Sequence, residues 1–510
     1  MIPVRAQGWF YSVLVFGWVG SGVLAEQDTN ILKSITIHEC VERALAHNLE
    51  IYVERVNPSI AQWGIVREQG AFEPALTGQA TYQENTTPFK PDDPNRLIFG
   101  SSTEEQTLAL QTGLIGKLPT GAQYGLNALD TASASTATSN QFTQTGTLPL
   151  ITVTQPLSRN FGLGPNLALL RVARKSQQIA AQTFANLVIN TVSDAVNAYY
   201  ELVFAIEDHK AKLDDLNRAR ALLAENRERV KIGVLSPLDV TQAEAGAAER
   251  EEAVIIAQRV IQDQEDILKR FISQNVSEFD GVSLIPAEYP VVEMVETDVP
   301  RSINTALLTR PDFIAAHNEV ERRDILVKFN RNQLWPQIDL QGSYGLNTRA
   351  RSFGDFVDNA ARGDSPQWSI GVVMTVPLGN RVARANYHAS RLDAEQALLM
   401  LKVLEQNIVV QVRNAVRQVE TNLKRADASR VASRLAEESL KAEQEKLRAG
   451  TSTSFLVLQA QAQLSAAQSA EIRARADYSK SLIDLARAEG TTLRKQNIDI
   501  DTEMKLPGAE

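Results

Sequence analysis

Three short motifs contain residue types that could do chemistry, but each lacks the partners that the chemistry needs. Gly363-Asp364-Ser365 resembles a hydrolase nucleophile motif, yet no His or Asp stands where it could activate the serine. Gly162-Leu163-Gly164 lacks the third glycine and the βαβ unit of a dinucleotide site. His38-Glu39-Cys40 has no second set of ligands nearby. We therefore expect a turn, a strand-to-helix bend and a packing cysteine, and we expect no enzyme, no cofactor and no metal.

The composition narrows the class of protein further. Cys40 is the single cysteine, so the chain can form no internal disulfide. The formal net charge of −9 argues against a nucleic-acid partner. Beyond the N-terminus no run of apolar residues approaches the ~18 that a membrane-spanning helix needs. Aromatic residues make up only 6% of the chain, which favours long helices that pack through small side chains.

The N-terminus has the pattern of a signal peptide. Arg5 supplies a positive charge, Trp9 to Val19 form an apolar run, and Val23-Leu24-Ala25 provides small residues at a cleavage site. We predict that residues 1–25 are removed and that the chain is exported.

Four collinear matches indicate a tandem repeat. Ala44-Leu45-Ala46-His47-Asn48 resembles Ala306-Leu307-Leu308-Thr309-Arg310, and Phe72-Glu73-Pro74 resembles Leu334-Trp335-Pro336. Further along, Gln155-Pro156-Leu157 resembles Val376-Pro377-Leu378, and the run Arg229 to Gly233 resembles the run Lys446 to Gly450. The pattern predicts a first repeat at 26–280, a linker at 281–300, a second repeat at 301–490 and a C-terminal tail at 491–510.

Each repeat is predicted to contain a helix, a strand pair and a long helical hairpin. The opening helices are expected at about 35–70 and 302–333. Strict alternation predicts half-buried strands at 337–346 and 368–378, with weaker counterparts at 76–82 and 151–157. The first strand pair contains 41 more residues than the second, and we expect its segment 83–148 to form an extracellular extension rather than two additional membrane strands, although the pattern leaves both open.

The long helical stretches are expected at about 166–272 and 381–489, and each is interrupted once. Gly233 and Gly450 follow Lys- and Arg-rich turns, which is a helix stop signal, and Ser236-Pro237 is a start signal. The interruptions therefore predict sharp hairpin tips. Helices of ~100 Å must pair with neighbours, and two strand pairs cannot close a barrel alone, so several chains must share one.

The duplicated order, Arg310-Pro311-Asp312 and the tips 233–240 and 450–457 resemble the TolC-like outer membrane efflux protein family over about 35–490. The resemblance implies a mixed α and β tandem-repeat trimeric tube with a shared 12-strand transmembrane β-barrel, four strands per chain, and a long periplasmic α-helical coiled-coil barrel. It also implies a homotrimer in the bacterial outer membrane, in contact with outer membrane lipid. Such channels are passive exit ducts of tripartite efflux pumps or type I secretion systems, and they meet an inner-membrane transporter through a periplasmic adaptor protein.

The resemblance further implies a periplasmic entrance at the tips. Asp239, six residues after Gly233, stands where the family places an Asp that links neighbouring coils. Leu456 and Gln459 occupy positions where two ring aspartates are expected, so the entrance is predicted to be weakly charged. An ordinary first-turn carboxylate is the alternative for Asp239, and a solvated face is the alternative for Gln459. The residues expected at the entrance are Asp239, Gln242, Ser452, Leu456 and Gln459. The residues expected to contact the adaptor are Gly233, Val234, Leu235, Gly450 and Thr451.

The competing function is an exported trimeric coiled-coil structural or adhesive protein. Such a fibre also uses long helices after a signal peptide, but it does not need two interrupted hairpins with amphipathic strand pairs.

Overall fold

The computed structural model describes residues 31–136 and 143–498 of the chain. The predicted signal peptide at 1–25 and the end of the predicted tail, from 499 on, lie outside these residues. Within them, no helix combines the length and the apolar character needed to cross a membrane.

The two halves of the chain contain the same main elements in the same order. The first half contains β1 (Ile31–Ile35), α1 (Ile37–His47), α2 (Leu49–Gln69), β2 (Ala75–Pro88), α3 (Arg96–Phe99), β3 (Ser102–Lys117), β4 (Gln123–Ser135), β5 (Thr143–Pro156), α4 (Leu163–Asn166), α5 (Ala168–Lys231) and α6 (Pro237–Ile272). The second half contains β6 (Val282–Pro286), α7 (Val299–Thr309), α8 (Pro311–Asn332), β7 (Gln337–Ala350), α9 (Phe353–Arg362), β8 (Pro366–Thr375), α10 (Arg381–Arg448), α11 (Ser454–Glu489) and α12 (Thr492–Lys495).

Equivalent helices in the two halves have nearly equal lengths. Helices α5 and α10 contain 64 and 68 residues, and α6 and α11 contain 36 each. At ~1.5 Å per residue, α5 and α10 are each about 100 Å long. Helices α6 and α11 are only about half as long as α5 and α10. The shorter helices α2 and α8 also pack along α5, and they cover the length that α6 and α11 do not reach.

The opening helix of each half is broken once. Asn48 separates α1 from α2 with φ −70° and ψ 122°, and its side chain caps α2 by accepting from the backbone N–H of Glu50 at 2.9 Å. Arg310 separates α7 from α8 with φ −66° and ψ 122°, because the residue before Pro311 avoids the helical region. The first opening helix begins at Ile37 rather than at 35, since Ile35 belongs to β1.

One antiparallel sheet contains six strands in the order β2-β3-β4-β5-β7-β8. The predicted count of four strands per chain is therefore wrong. The segment 83–148 does not form an extension outside the sheet: it lengthens β2 to Pro88, adds β3 and β4, and begins β5 at Thr143. The reason is the alternation of apolar residues in β3 and β4, which continues in register with the neighbouring strands.

Strands β1 and β6 and helix α9 were not predicted from the sequence. Strands β1 and β6 form a parallel pair, so the predicted linker 281–300 is partly a strand. Helix α9 lies between β7 and β8 and ends at Gly363, whose φ of 71° suits glycine and confirms the predicted turn there. Strand β8 ends at Thr375, three residues before the predicted end.

The apolar core runs along the inside of the helical part. Its central cluster joins α1, α5 and α6 to the β1–β6 pair and includes Tyr199, Leu202 and Leu268, none of which is exposed. A matching cluster packs α7 against α10 and α11 around Ile408, Val412 and Val416. These three residues are spaced four apart, which places them on one face of α10.

A charged cluster connects α5 to α11 in the middle of the helical part. Glu201 accepts hydrogen bonds from Lys480 and from Arg473, the latter at 2.7 Å. Burial by itself would raise the pKa of Glu201, but the hydrogen bonds and charges of Lys480 and Arg473 outweigh it and lower the pKa. Arg473 also pairs with Asp477 at 2.9 Å. The cluster therefore stabilises the pairing of the two repeats in its ionised form.

The lowered pKa of Glu201 predicts acid-dependent stability. A carboxyl group whose pKa is lower in the folded state stabilises that state above its unfolded pKa of ~4.3, and the contribution is lost as the pH falls through the folded value. We expect Glu201→Gln to reduce the free energy of unfolding by about 1–3 kcal/mol at pH 7, and the difference from the wild type to shrink as the pH falls below the unfolded pKa. Chemical unfolding followed by circular dichroism across this pH range measures it.

Glu437→Gln is the matched control, because Glu437 forms an exposed pair with Lys441. Its effect is expected to stay within about 0.5 kcal/mol. A loss at Glu201 that is constant from pH 7 to pH 3 would contradict the ion-pair explanation.

Candidate channel entrance

Both helical hairpins reverse direction through the same backbone motif. At the end of α5, Gly233 has φ 77°, its N–H donates to the carbonyl of Val230, and the N–H of Val234 donates to Arg229 at 2.9 Å. At the end of α10, Gly450 has φ 75°, and the N–H of Thr451 donates to Lys446 at 2.9 Å. This is the Schellman pattern, in which a left-handed glycine satisfies the last carbonyls of a helix.

The returning helices are capped by side chains. Ser236 caps α6: its hydroxyl accepts from the N–H of Leu238 at 3.3 Å, and the carboxylate of Asp239 accepts from the N–H of Ser236 at 3.1 Å. The two bonds make a capping box with Pro237 in the first turn. Thr453 caps α11 by accepting from the N–H of Leu456 at 3.4 Å. Both predicted tips are therefore rigid two-helix turns.

The two tips of one chain lie side by side. Asn226 is fully buried between them: its amide donates to the carbonyl of Asp239 at 3.4 Å and accepts from the hydroxyl of Ser454 at 3.1 Å. Arg229 donates across to the carbonyl of Leu447 at 3.3 Å. An apolar cluster continues this contact through Leu222, Leu440, Leu447, Val457, Ala460 and Leu464. The four helices therefore end as one unit.

A buried arginine reinforces that unit about three and a half turns behind the tips. Arg250 is 8% exposed, and its side chain pairs with Asp215 at 3.0 Å and donates to the carbonyl of Leu458 at 3.4 Å. It therefore connects α6 to both α5 and α11. Arg250 and Asn226 were not predicted from the sequence, because each is an ordinary polar residue in a helix and its partners are distant in the chain.

The five residues predicted at the entrance differ in their surroundings. Asp239 is half-buried and its carboxylate is engaged in the capping box, as the alternative reading of this residue expected. Ser452 is half-buried, and its hydroxyl donates to the carboxylate of Glu443. Gln242 and Gln459 are exposed, and Leu456 is 43% exposed. Side chains at Gln242, Leu456 and Gln459 are therefore free to meet solvent or another chain.

The adaptor-contact residues predicted from the sequence lie on the outermost surface of the tips. Gly233, Gly450 and Thr451 are exposed, Val234 is 64% exposed, and Leu235 is half-buried. Three further apolar side chains at the tips were not predicted. These are Ile232 at 74%, Leu238 at 63% and Phe455 at 58% exposure. Together with Val234 they place exposed apolar side chains at the ends of both helical hairpins.

The acidic side chains just behind the tips are paired within their own helices. The pairs are Glu225 with Arg229, Glu228 with Lys231, Glu443 with Lys446, and Glu445 with Arg448. Hydrogen bonds from Ser452 and Lys446 lower the pKa of Glu443. These four glutamates therefore have cationic partners within their own helices.

Comparisons with known proteins identify relatives of the chain. A model of the outer membrane efflux protein family matches residues 302–491. The outer membrane efflux protein BepC of Brucella suis is 24% identical over 425 residues, which cover 81% of this chain and 87% of BepC. The Campylobacter jejuni CmeC outer membrane channel superposes with a TM-score of 0.66 at 17% identity, covering 92% of this chain and 89% of CmeC. The outer membrane protein VceC of Vibrio cholerae superposes with a TM-score of 0.64 at 17% identity, covering 89% and 96%.

These comparisons confirm three predictions from the sequence. The solved structures confirm the fold class, in which long helices join an antiparallel sheet. The family model and BepC confirm the resemblance to the TolC-like outer membrane efflux proteins and the localisation in a bacterial outer membrane, with the helical part in the periplasm. The matched family is one of efflux channels and not of enzymes.

Proposed function

We propose that this chain, which has the fold and the second-repeat signature of the TolC-like outer membrane efflux proteins, is the passive exit duct of a tripartite efflux pump or a type I secretion system. Three copies would share the barrel and the helical tunnel, as the two unpaired sheet edges of a single chain suggest. Substrates would be delivered by an inner-membrane transporter through a periplasmic adaptor protein.

The main support for this proposal is the position and surface of the paired tips. They lie at the far end of α5 from the sheet, and α5 is about 100 Å long, so a sheet in the outer membrane leaves the tips deep in the periplasm. The exposed apolar side chains there, with Gly233, Val234, Leu235, Gly450 and Thr451 around them, suit a helical partner that packs between hairpins. Asp239, Gln242, Ser452, Leu456 and Gln459 would line the entrance beside this contact.

A structural or adhesive fibre is the less favoured function. A fibre does not require capped, paired tips joined to a six-stranded sheet, and the match to the outer membrane efflux protein family favours efflux. We also propose the division into a signal peptide at 1–25, repeats at 26–280 and 301–490, a linker at 281–300 and a tail at 491–510.

Photo-crosslinking in cells tests the proposal. A photoreactive maleimide on Val234→Cys or Thr451→Cys should give a product with an adaptor protein that is anchored in the inner membrane, and chain-to-chain crosslinking should give a trimer in the outer membrane fraction. Leu435→Cys is the matched control, because Leu435 is 51% exposed on α10 but lies about 20 Å behind the tip. A soluble periplasmic monomer, or the same products at all three sites, would overturn the proposal.

A further inference from the structure

Resting on the channel function proposed above, we infer that the β3–β4 hairpin is part of the membrane-spanning wall. Each chain then contributes six strands, and a ring of three copies has 18 strands instead of the 12 expected from two hairpins per chain. The partners of this surface are membrane lipid on one face and a second copy of the chain at each sheet edge.

A continuous apolar row crosses all six strands on one face. Backbone pairing places one residue of each strand directly beside the next. The row consists of Leu76, Leu114, Leu126, Ile151, Tyr344 and Trp368. Each of these side chains is at least 39% exposed. The two members from the inserted hairpin, Leu114 and Leu126, thus lie in line with the strands that the sequence already assigned to the membrane.

The opposite face of the hairpin is mostly polar, apart from Ile115 and Leu129. Lys117 pairs with Gln123, which in turn lies beside Thr154 of β5 and, one strand further, Gln341 of β7. Alternation between an apolar and a polar face is the pattern of a strand with lipid on one side and a water-filled lumen on the other. The apolar and polar faces of the β3–β4 hairpin therefore align with those of the neighbouring strands.

The apolar stretch of β3 has the height of a membrane. From Leu108 to Leu118 alternate residues are mostly apolar, and beyond them Gln106 pairs with Glu84 at the outer end. Ten residues at ~3.3 Å and a tilt of about 40° cover roughly 25 Å, the height of the apolar band of outer-membrane barrels.

The turn of the hairpin is attached to the base of the sheet, where the strands meet the helices. The carbonyl of Thr120 accepts from the N–H of Gly162 at 3.0 Å and from the side chain of Gln155 at 3.4 Å. Gly121 has φ 93°, and a Cβ there would lie 2.5 Å from the carbonyl of Asn160, so the close approach requires glycine. A hairpin that extended above the membrane would have its turn far from this base.

Six strands also permit closure in a ring. The edge strands β2 and β8 run in opposite directions, so β8 of one chain can pair antiparallel with β2 of the next. Since the diameter of a barrel grows roughly linearly with strand number, 18 strands give a barrel about 1.5 times as wide as 12.

Spin labelling in liposomes tests this inference on the full chain. Single cysteines replace Leu114 and Leu126 on the apolar face, and Gln111 and Gln123 on the polar face as matched controls. Ile151→Cys and Ile370→Cys report on β5 and β8, which lie in the membrane whether the barrel has 12 or 18 strands. The native Cys40 is fully buried, and burial raises the pKa of its thiol to about 12, so it should not be labelled.

We expect Leu114→Cys and Leu126→Cys to match Ile151→Cys and Ile370→Cys, with more collisions with oxygen than with a water-soluble nickel chelate. Labels at Gln111→Cys and Gln123→Cys should show the opposite preference, with more collisions with the nickel chelate than with oxygen. Labels at 114 and 126 that prefer nickel, while those at 151 and 370 prefer oxygen, would overturn the wider barrel and leave the channel function intact. Nickel preference at all four sites would overturn both.

Discussion

Replacing Leu456 and Gln459 by aspartate is expected to make the channel cation-selective and sensitive to block by multivalent cations. The two side chains are exposed near the start of α11 and one turn apart, so both carboxylates would lie on the same side of the tip. In a trimer the change adds six negative charges around one narrow ring. Clefts lined by one sign of charge build potentials of several kT, which raises the local cation concentration roughly tenfold or more.

The measurement is the reversal potential of single channels in planar bilayers under a salt gradient. Wild type should show weak selectivity, because the acidic residues behind the tips are paired with Lys and Arg of their own helices. Val431→Asp with Leu435→Asp adds the same charge at two exposed positions of α10 further from the tip and should leave the potential nearly unchanged. An unchanged potential in the tip variant would mean that Leu456 and Gln459 do not face the lumen.

The helical part could be predicted from the sequence because its signals are local. The breaks at Asn48 and Arg310 and the turns at Gly233 and Gly450 are each determined by a few residues, through caps, a proline or a left-handed glycine. A hydrophobic period of 3.6 then runs uninterrupted between these signals. For this reason the predicted and observed ends of α6, α10 and α11 nearly coincide.

The sheet was predicted less well because strand pairing is not local. Strands β3 and β4 contain few bulky residues among many Ala, Thr and Gly, so their alternation is weak when each is considered alone. It becomes clear only when Leu114 and Leu126 are placed beside Leu76 and Ile151. Strands β1 and β6 are about 250 residues apart, and nothing within either segment indicates its partner.

At the candidate entrance, the sequence located the tips but not the contacts of their side chains. The position of Asp239 relative to Gly233 suggested a link between coils, whereas its carboxylate caps its own helix. The contact between the tips depends instead on Asn226, which no spacing rule distinguishes from the other polar residues of α5. The difference arises because burial, unlike a helix cap, depends on helices that are far apart in the chain.

Replacing Tyr199 is expected to cause the largest loss of stability in the helical part. Tyr199 is fully buried where α5 meets β1 and the connection after β6. Its hydroxyl lies 3.3 Å from the carbonyl of Ile35 and 3.2 Å from that of Glu288, and it accepts from the N–H of Glu288 at 2.9 Å. Tyr199→Ala removes a buried ring and should cost about 3–5 kcal/mol. Tyr199→Phe keeps the ring but removes the acceptor of the Glu288 N–H, and should cost about 1–3 kcal/mol.

Denaturant unfolding of the solubilised protein measures both costs, and hydrogen exchange locates them. Peptides that cover residues 282–290 should exchange faster in both variants, because the hydroxyl fixes the chain between the repeats to α5. Tyr387→Phe is the matched control: Tyr387 is half-buried on α10, and its change should stay within about 0.5 kcal/mol. If Tyr199→Phe exchanged and unfolded like the wild type, the connection would be held by the apolar contacts of the ring alone, and its hydrogen bonds would contribute nothing to the docking of the repeats.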